Sequence, residues 1–246
     1  MQILAIETTG KYGSAAVIGD NGTAYSMYSK NEMNHLQDII SISDAAIKSA
    51  GITKKDLTYV AASIGPGSFT GIRIGVTTAR TLAQMLEIPC IAVSTLDGMR
   101  EGAVEAAKTT GCKLVLATIN ARRHQTYAAV WKTDEKTDEF EVIFEENQYI
   151  IDELLEKIAG IDEKVYIIGD GIDAYQEIIE EKLPKEAYFL AKEDNRYQNA
   201  KYIAKIALNK AKSGEIMQYF EVFPNYMRLS EAEQRLKEGK LSKKIK

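Results

Sequence analysis

The chain of 246 residues has few of the residues that build disulfides and metal sites. It contains two cysteines, Cys90 and Cys112, and two histidines, His35 and His124. Two cysteines exclude a disulfide-rich scaffold and a four-cysteine zinc site, and two histidines leave little for a histidine-based metal centre. Basic residues are outnumbered, 31 to 35, so the net charge is −4. No overall basic field therefore attracts nucleic acid.

Long hydrophobic runs are also missing. No stretch of eighteen apolar residues occurs, and the first residues do not resemble a signal peptide. We therefore expect a cytoplasmic protein with no membrane contact. The composition, 45% apolar and 27% charged, is that of an ordinary globular protein. The length fits one large domain or two modest ones.

The first hundred residues predict a mixed α/β layer. Residues 20–22 form a turn-type triplet between strand-like segments, which indicates a hairpin. A glycine at position 51 is suited to end a helix, and a proline at position 89 stops another. The predicted order is three antiparallel strands (3–6, 14–18, 23–29), a helix (35–50), a strand (57–64), a helix (72–86) and a strand (90–93).

The second half is less regular and more charged. Its predicted strands are 113–119, 126–131 and 165–168, and its predicted helices are 152–159, 174–183 and 199–213. Residues 134–139 are interpreted as a polar hairpin tip, and residues 231–246 as a helical or frayed tail. We expect an N-terminal domain at 1–98, a second and smaller α/β domain at 99–198, and a C-terminal extension at 214–246. The helix at 199–213 is expected to pack back on the first domain.

The segment Gly65–Gly71 holds three glycines and a proline between a predicted strand and a predicted helix. Such a turn can present unpaired backbone amides to a phosphate at the helix N-terminus. It can equally be a tight turn in which glycine permits positive φ and close packing. The segment lacks the lysine and hydroxyl residue of a Walker loop, which favours the packing interpretation.

Other polar groups invite functional interpretations of their own. Glu7-Thr8-Thr9 ends the first predicted strand, where nucleotide-binding folds place phosphate and metal contacts, although a solvated turn is the commoner reason for a carboxylate there. His35 begins a helix, but position 39 is isoleucine, so the His-x-x-x-His metal pair is absent and a surface residue is expected. Arg122 and Arg123 can grip phosphate or carboxylate, or lie in a solvated hairpin.

Two helices carry more apolar surface than one core needs. On the helix at 72–86, a second strip outside the core face is largely uncharged, where a surface helix normally carries charge. On the helix at 35–50, the apolar arc is similarly wide. Surplus apolar surface on neighbouring helices predicts burial against a second polypeptide; an unusually buried pair within one chain is the alternative. The candidate interface residues are Ile39, Ile42, Ala46, Ile74, Thr78, Thr81 and Met85.

The segment Gly65–Gly75 (GPGSFTGIRIG) resembles the signature of the TsaB (YeaZ) family, bacterial proteins required for threonylcarbamoyladenosine modification of tRNA. The opening strand 3–9, the Asn34-His35 helix start, Asn120-Ala121-Arg122 and Pro224–Arg228 (PNYMR) also match. The resemblance spans nearly the whole chain. It implies an α/β protein of the actin/Hsp70-like ATPase (ASKHA) fold, with two related lobes and mixed sheets.

The resemblance also implies a subunit that is not itself an enzyme and holds no cofactor. Its expected partner is TsaD, which carries ATP and metal and transfers the threonylcarbamoyl group to adenosine 37 of tRNA. The ATPase TsaE joins the pair, the free chain is expected to form a homodimer, and tRNA is met only through the complex. The missing second histidine after His35 agrees, since the metal-binding pair of TsaD is absent.

Two positions depart from the family pattern. Position 7 is glutamate where aspartate is usual, and position 120 is asparagine where aspartate is common. Both departures weaken a case for metal-assisted phosphate chemistry. The rival functions are a nucleotide-dependent ATPase or kinase using Glu7, Gly65–Gly71 and Gly169–Gly171, and a glycoprotease-like metallopeptidase. Direct tRNA binding through Arg122, Arg123 and the basic end of the chain (240–246) is a further alternative.

Overall fold

A computed structural model describes residues 1–29, 31–32, 34–133 and 140–227. Ten strands divide equally between two sheets. The first sheet contains β1 (Gln2–Glu7), β2 (Ser14–Gly19), β3 (Ala24–Tyr28), β4 (Tyr59–Ser63) and β5 (Cys90–Val93). The second contains β6 (Leu114–Asn120), β7 (Gln125–Thr133), β8 (Phe140–Ile150), β9 (Val165–Ile168) and β10 (Tyr188–Leu190). The predicted hairpin tip at 134–139 and tail at 231–246 lie outside the described residues.

Both sheets have the same topology. The first is ordered β3-β2-β1-β4-β5 and the second β8-β7-β6-β9-β10. In each, three consecutive strands pair antiparallel and two later strands add in parallel beside the first of the three. Parallel additions require crossover connections, and these are helical. The two halves of the chain are therefore related α/β lobes with mixed sheets.

Helices cover both faces of the first sheet. The α-helices within the described residues are α1 (His35–Ser49), α2 (Phe69–Leu86), α3 (Thr95–Thr110), α4 (Ile151–Ala159), α5 (Gly171–Lys182) and α6 (Ala200–Ser213). Side chains alternate along β1, so Leu4 and Ile6 pack under α1 and α2, whereas Ile3 and Ala5 pack against α6. All four side chains are fully buried.

The second sheet is covered in a comparable way. Its core includes Leu96 and Met99 of α3, Leu154 of α4 and Ile172 of α5. Helix α3 also contacts α6, and this contact joins the two lobes. After α6 the chain returns to the edge of the first sheet, where Cys90 and Met217 exchange backbone hydrogen bonds of 2.8 and 3.0 Å.

Three elements are absent from the sequence prediction: α3, β8 and β10. Helix α3 carries glycine at positions 98 and 102, which weakens a helical pattern. A Cβ atom at Gly98 would lie 2.5 Å from Ile203 Cδ1, and one at Gly102 would lie 2.8 Å from the Tyr202 ring. The glycines therefore allow α3 to pack closely on α6. The glycines are needed for contacts with a helix that is distant in sequence, and the local periodicity of α3 does not reveal such contacts.

Candidate functional site

The glycine turn between β4 and α2 lies against the end of β1. A Cβ atom at Gly67 would lie 2.6 Å from Thr9 O, and one at Gly71 would lie 2.0 Å from Thr8 O. Real Cβ atoms do not approach backbone oxygen so closely, so these positions need glycine. Thr8 Oγ1 also donates to Gly71 O at 2.7 Å. The packing interpretation of this segment therefore has a direct geometric basis.

Amides at the start of α2 are already engaged. Ser68 N donates to Thr9 O at 2.8 Å, and the Ser68 side chain caps the helix by accepting from Gly71 N at 3.2 Å. These are two of the groups that a phosphate at a helix N-terminus would use. The turn consequently offers fewer donors than its glycine content suggests.

Glu7 is buried at the end of β1 and folds back on its own strand. Its Oε1 accepts from Thr9 N at 2.5 Å and from Thr9 Oγ1 at 2.6 Å. Burial raises the pKa of the Glu7 carboxyl above its ordinary 4.5, while the bonds from Thr9 oppose that shift. The solvated turn expected from the sequence is therefore wrong, because this carboxylate is 1% exposed.

His35 is a second residue that the sequence placed wrongly. It is 3% exposed rather than on the surface. Its Nε2 lies 3.0 Å from Gly10 O, and since a carbonyl accepts, Nε2 carries the proton. Burial lowers the pKa of the imidazole, which the bond to Gly10 partly offsets. His35 thus fixes the loop after β1 instead of presenting a free ligand.

A cleft of about 1060 Å³ lies between the lobes. From the first lobe it is lined by Thr9, Gly10 and the glycine turn, and from the second by the β6–β7 turn and the start of α5. Asp170 faces it, accepting from Asn120 N at 3.1 Å. Burial raises the pKa of Asp170 to about 6. The cleft is thus lined by Thr9, by residues 66–70 of the glycine turn and by Asp170, so it brings together parts of the three predicted segments.

At the mouth of the cleft lies a cluster that the sequence analysis did not anticipate. The rings of Phe69 and Tyr226 stack at 4.6 Å, and the Arg73 guanidinium lies 4.0 Å from the centre of the Phe69 ring. Arg73 Nε also donates to Tyr226 Oη at 2.8 Å. The sequence did point to this segment, because Pro224–Arg228 matches the family. It did not indicate which residues the segment contacts.

The outer side of the helix layer differs partly from the prediction. On α1, Ile39 is 2% exposed and Ala46 fully buried, so neither can contact a partner. The residues that face outward are Leu36, 74% exposed, and Ile40, 56% exposed. The assigned face was wrong because the buried side of α1 includes the polar residues His35 and Ser43.

On α2 the predicted strip lies mostly outside the core face, although Ile74 also packs against the core. Met85 is 77% exposed, Thr81 is exposed, and Thr78 and Ile74 are half-buried. Ile42 of α1 is half-buried between the two helices, in contact with the core clusters on both sides. We call Leu36, Ile40, Ile74 and Met85 the outer helix strip. It presents large apolar side chains on two neighbouring helices.

No ligand set for a metal is evident in the part of the chain that the structure describes: no three His, Cys, Asp or Glu side chains lie close enough together to share an ion. Within the same ranges, no helix is both long and apolar enough to cross a membrane.

The two lobes and the cleft between them define a protein of the actin/Hsp70-like class. YeaZ from Pseudomonas aeruginosa has the same fold, with a TM-score of 0.73 over 92% of this chain and 99% of that one at 24% identity. The model of the family described as "TsaD: tRNA N6-adenosine threonylcarbamoyltransferase" matches residues 29–236.

Sequence similarity to known proteins identifies the family within this class. The TsaB protein of Escherichia coli is 32% identical over 182 residues, 72% of this chain and 75% of that protein. The TsaB protein of Bacillus subtilis is 26% identical over 95% of this chain and 96% of its own length. Both are described as tRNA threonylcarbamoyladenosine biosynthesis proteins. The chain belongs to the TsaB (YeaZ) family, within the wider family of the threonylcarbamoyltransferases.

Proposed function

We propose that this chain is a non-catalytic subunit that pairs with a TsaD-type threonylcarbamoyltransferase during modification of adenosine 37 of tRNA. The outer helix strip is the observation that carries the proposal. Exposed side chains as large as Leu36, Ile40 and Met85 on adjacent helices are typical of protein interfaces. In the complex, ATP and metal are bound by the partner, and TsaE supplies ATPase activity.

The polar groups near the cleft favour a structural role for this chain over an enzymatic one. Glu7 is committed to Thr9, and amides of the glycine turn are committed to Thr9 O and the Ser68 side chain. An actin-like enzyme uses these positions for phosphate and its metal. Here they stabilise the contact between β1 and α2, so they contribute to the shape of the lobe that carries the strip.

The proposal is tested by co-purification of Met85→Glu with the TsaD-type partner from the same organism. A carboxylate buried without a counter-charge weakens association strongly, and we expect at least about a tenfold loss. Gln84→Glu is the matched control, because it adds the same charge on the adjacent exposed position of α2. Leu36→Glu, with Gln37→Glu as its control, repeats the test on α1.

Two results contradict the proposal. One is wild-type co-purification and tRNA modification by both Met85→Glu and Leu36→Glu. The other is magnesium-dependent ATP turnover by the isolated chain, which supports the rival ATPase or kinase. A free homodimer through the same strip predicts that Met85→Glu shifts the isolated chain to monomer in sedimentation.

A further inference from the structure

The turn between β6 and β7 has an unusual backbone. Arg122, Arg123 and His124 have φ angles of 63°, 54° and 58°. Only a few per cent of non-glycine residues adopt this left-handed region, and three in succession are rarer still. Glycine or asparagine would relieve the conformation, yet the sequence places two arginines and a histidine there. Such outliers persist only where surrounding contacts hold them, and they concentrate at functional sites.

Contacts on three sides hold the turn in place. Asn120 Oδ1 accepts from Arg122 N at 2.8 Å, and Arg122 O accepts from Gln125 N at 3.0 Å. Ile151 N, at the start of α4, donates to His124 O at 3.0 Å. Tyr175 Oη, on α5, donates to Asn120 Oδ1 at 3.0 Å and to Gln125 O at 2.8 Å. The backbone is therefore fixed, and the three side chains are directed outward.

Among the residues that the structure describes, the two arginines of the turn have no carboxylate partner. Arg122 and Arg123 are exposed, and no described acidic residue lies within ion-pair distance of either. They stand where the interlobe cleft meets a second cavity of about 870 Å³ beside α5. Asp173, which lines both cavities, is already occupied by Arg196 and Tyr197. Glu177 and Glu180 are the other acidic residues lining the second cavity.

We propose that Arg122 and Arg123 bind phosphates of an RNA backbone. Guanidinium groups pair bidentately with phosphate oxygens, and a rigid turn fixes the backbone from which both arginines extend, which lowers the entropic cost of binding. The exposed rim favours a long ligand over a mononucleotide, whose phosphates would need the amides of the glycine turn, and Ser68 N and Gly71 N are already engaged. With a net charge of −4, the isolated chain is expected to bind RNA weakly through this contact, which adds to stronger RNA binding within the complex.

This inference rests on the proposed function, since it assumes that the complex meets tRNA. The test measures binding of a tRNA transcript by the complex with the TsaD-type partner, and by the isolated full-length chain, as salt is varied. Each phosphate contact contributes about 0.7–0.9 to the slope of log K against log salt. The double variant Arg122→Gln/Arg123→Gln is expected to reduce that slope by about 1.5 and to weaken binding roughly 10- to 100-fold at about 50 mM salt.

Three comparison variants make the result specific. Lys185→Gln/Lys192→Gln removes the same charge from exposed positions of the same lobe that line neither cavity, and should leave the slope unchanged. Arg122→Lys/Arg123→Lys should keep most of the slope. Glu177→Gln should strengthen binding, because it removes a nearby negative charge.

The inference is overturned if the double variant binds tRNA with the wild-type affinity and slope, or if the wild-type complex does not bind tRNA at all. It is also overturned if ATP or inorganic phosphate binds the wild-type turn and displaces tRNA, since the site then serves a nucleotide. Co-purification of the double variant with the partner is recorded in the same preparation. Loss of partner association by the wild-type chain contradicts the proposed function, while the isolated-chain measurement still decides the RNA contact.

Discussion

The two lobes solve one packing problem in the same way. In the first, Gly71 and Gly75 let α2 lie against Thr8 at the end of β1. In the second, a Cβ atom at Gly169 would lie 1.9 Å from Thr118 O, and one at Gly171 would lie 2.2 Å from Thr118 Oγ1. In each lobe, glycines in or just before a helix thus pack onto a threonine that lies in the central strand or directly after it. The glycine motif that identifies the family is first of all a feature of packing.

The lobes differ in what their helices leave exposed. In the first lobe, α1 and α2 present Leu36, Ile40 and Met85 to the outside. In the second, α4 and α5 occupy the comparable positions, and none of their large apolar residues is among the exposed ones. The same topology therefore leaves large apolar side chains exposed on the helices of one lobe, where we propose that the partner binds, and covers them in the other. Function in this protein follows side chains and not topology.

The largest expected effect tests the shared packing. Gly71→Ala and Gly169→Ala each force a Cβ atom onto backbone oxygen, so each should lower the free energy of unfolding by more than about 3 kcal/mol or prevent folding. Gly111→Ala is the control: its φ is positive, like that of Gly169, but nothing lies within 4 Å of the added atom. It should cost only about 1 kcal/mol. Chemical denaturation measures all three, and an equally mild effect at Gly71 or Gly169 breaks the comparison.

The next effect separates core from surface on α1. Ile39→Ala removes a buried side chain and should cost about 2–4 kcal/mol. Ile40→Ala, one position on, should change stability by less than about 0.5 kcal/mol and instead weaken association with the partner. Denaturation and co-purification of both variants give the two readouts. Equal stability losses would place Ile40 in the core and remove it from the outer helix strip.

Much of the fold could be predicted because strong local patterns coincide with it. The strands at Cys90–Val93 and Val165–Ile168 have the predicted bounds, since both are short apolar runs with clear ends. Helix α3 could not be predicted, because its glycines make room for Ile203 and Tyr202, which lie about a hundred residues away in the sequence. Strand β10 has only three residues and gives no period to detect.

The site was predicted less well, for a related reason. The outward face of α1 was misassigned because periodicity treats every polar residue as exposed. Ser43 is buried at little cost, since its hydroxyl donates to Ile39 O within the helix at 2.7 Å. His35 is buried because its ring bonds Gly10 O. Polar groups that find a partner can lie in a core, and sequence alone does not show the partner.

A third effect concerns acid response in the second lobe. The pKa of Asp170 is raised to about 6 by burial, above the ordinary 3.8, so the folded state disfavours the charged carboxylate. That penalty is present above about pH 6 and disappears as pH falls towards 4. Asp170→Asn keeps an acceptor for Asn120 N and removes the charge. It should stabilise the protein at pH 7 by about 1–2 kcal/mol, allowing for solvent screening at this partly exposed group.

The measurement for Asp170 is the difference in unfolding free energy between wild type and variant at pH 7 and at pH 4. The gain should be present at pH 7 and absent at pH 4. Asp162→Asn, at an exposed position of the same lobe, is the control for loss of one negative charge. A gain that is the same at both pH values would mean that Asp170 folds with no desolvation penalty.

The smallest expected effect is the acid response of His35 in the first lobe. Its sign is opposite to that of Asp170, because His35 makes the protein less stable as the pH falls. Burial lowers the pKa of His35 below its ordinary 6.5, so the unfolded chain binds the proton more readily. The free energy of unfolding is therefore undiminished by His35 above about pH 6.5 and decreases as the pH falls below that value.

His35→Gln can still donate to Gly10 O and should remove this decrease. The decrease is less than about 1.4 kcal/mol at pH 5.5. His124→Gln, at an exposed position, controls for loss of a histidine. If the stability of His35→Gln falls with pH as much as that of the wild type, burial of His35 is not the cause of the acid sensitivity. The expected contrast with Asp170 in the second lobe is then wrong.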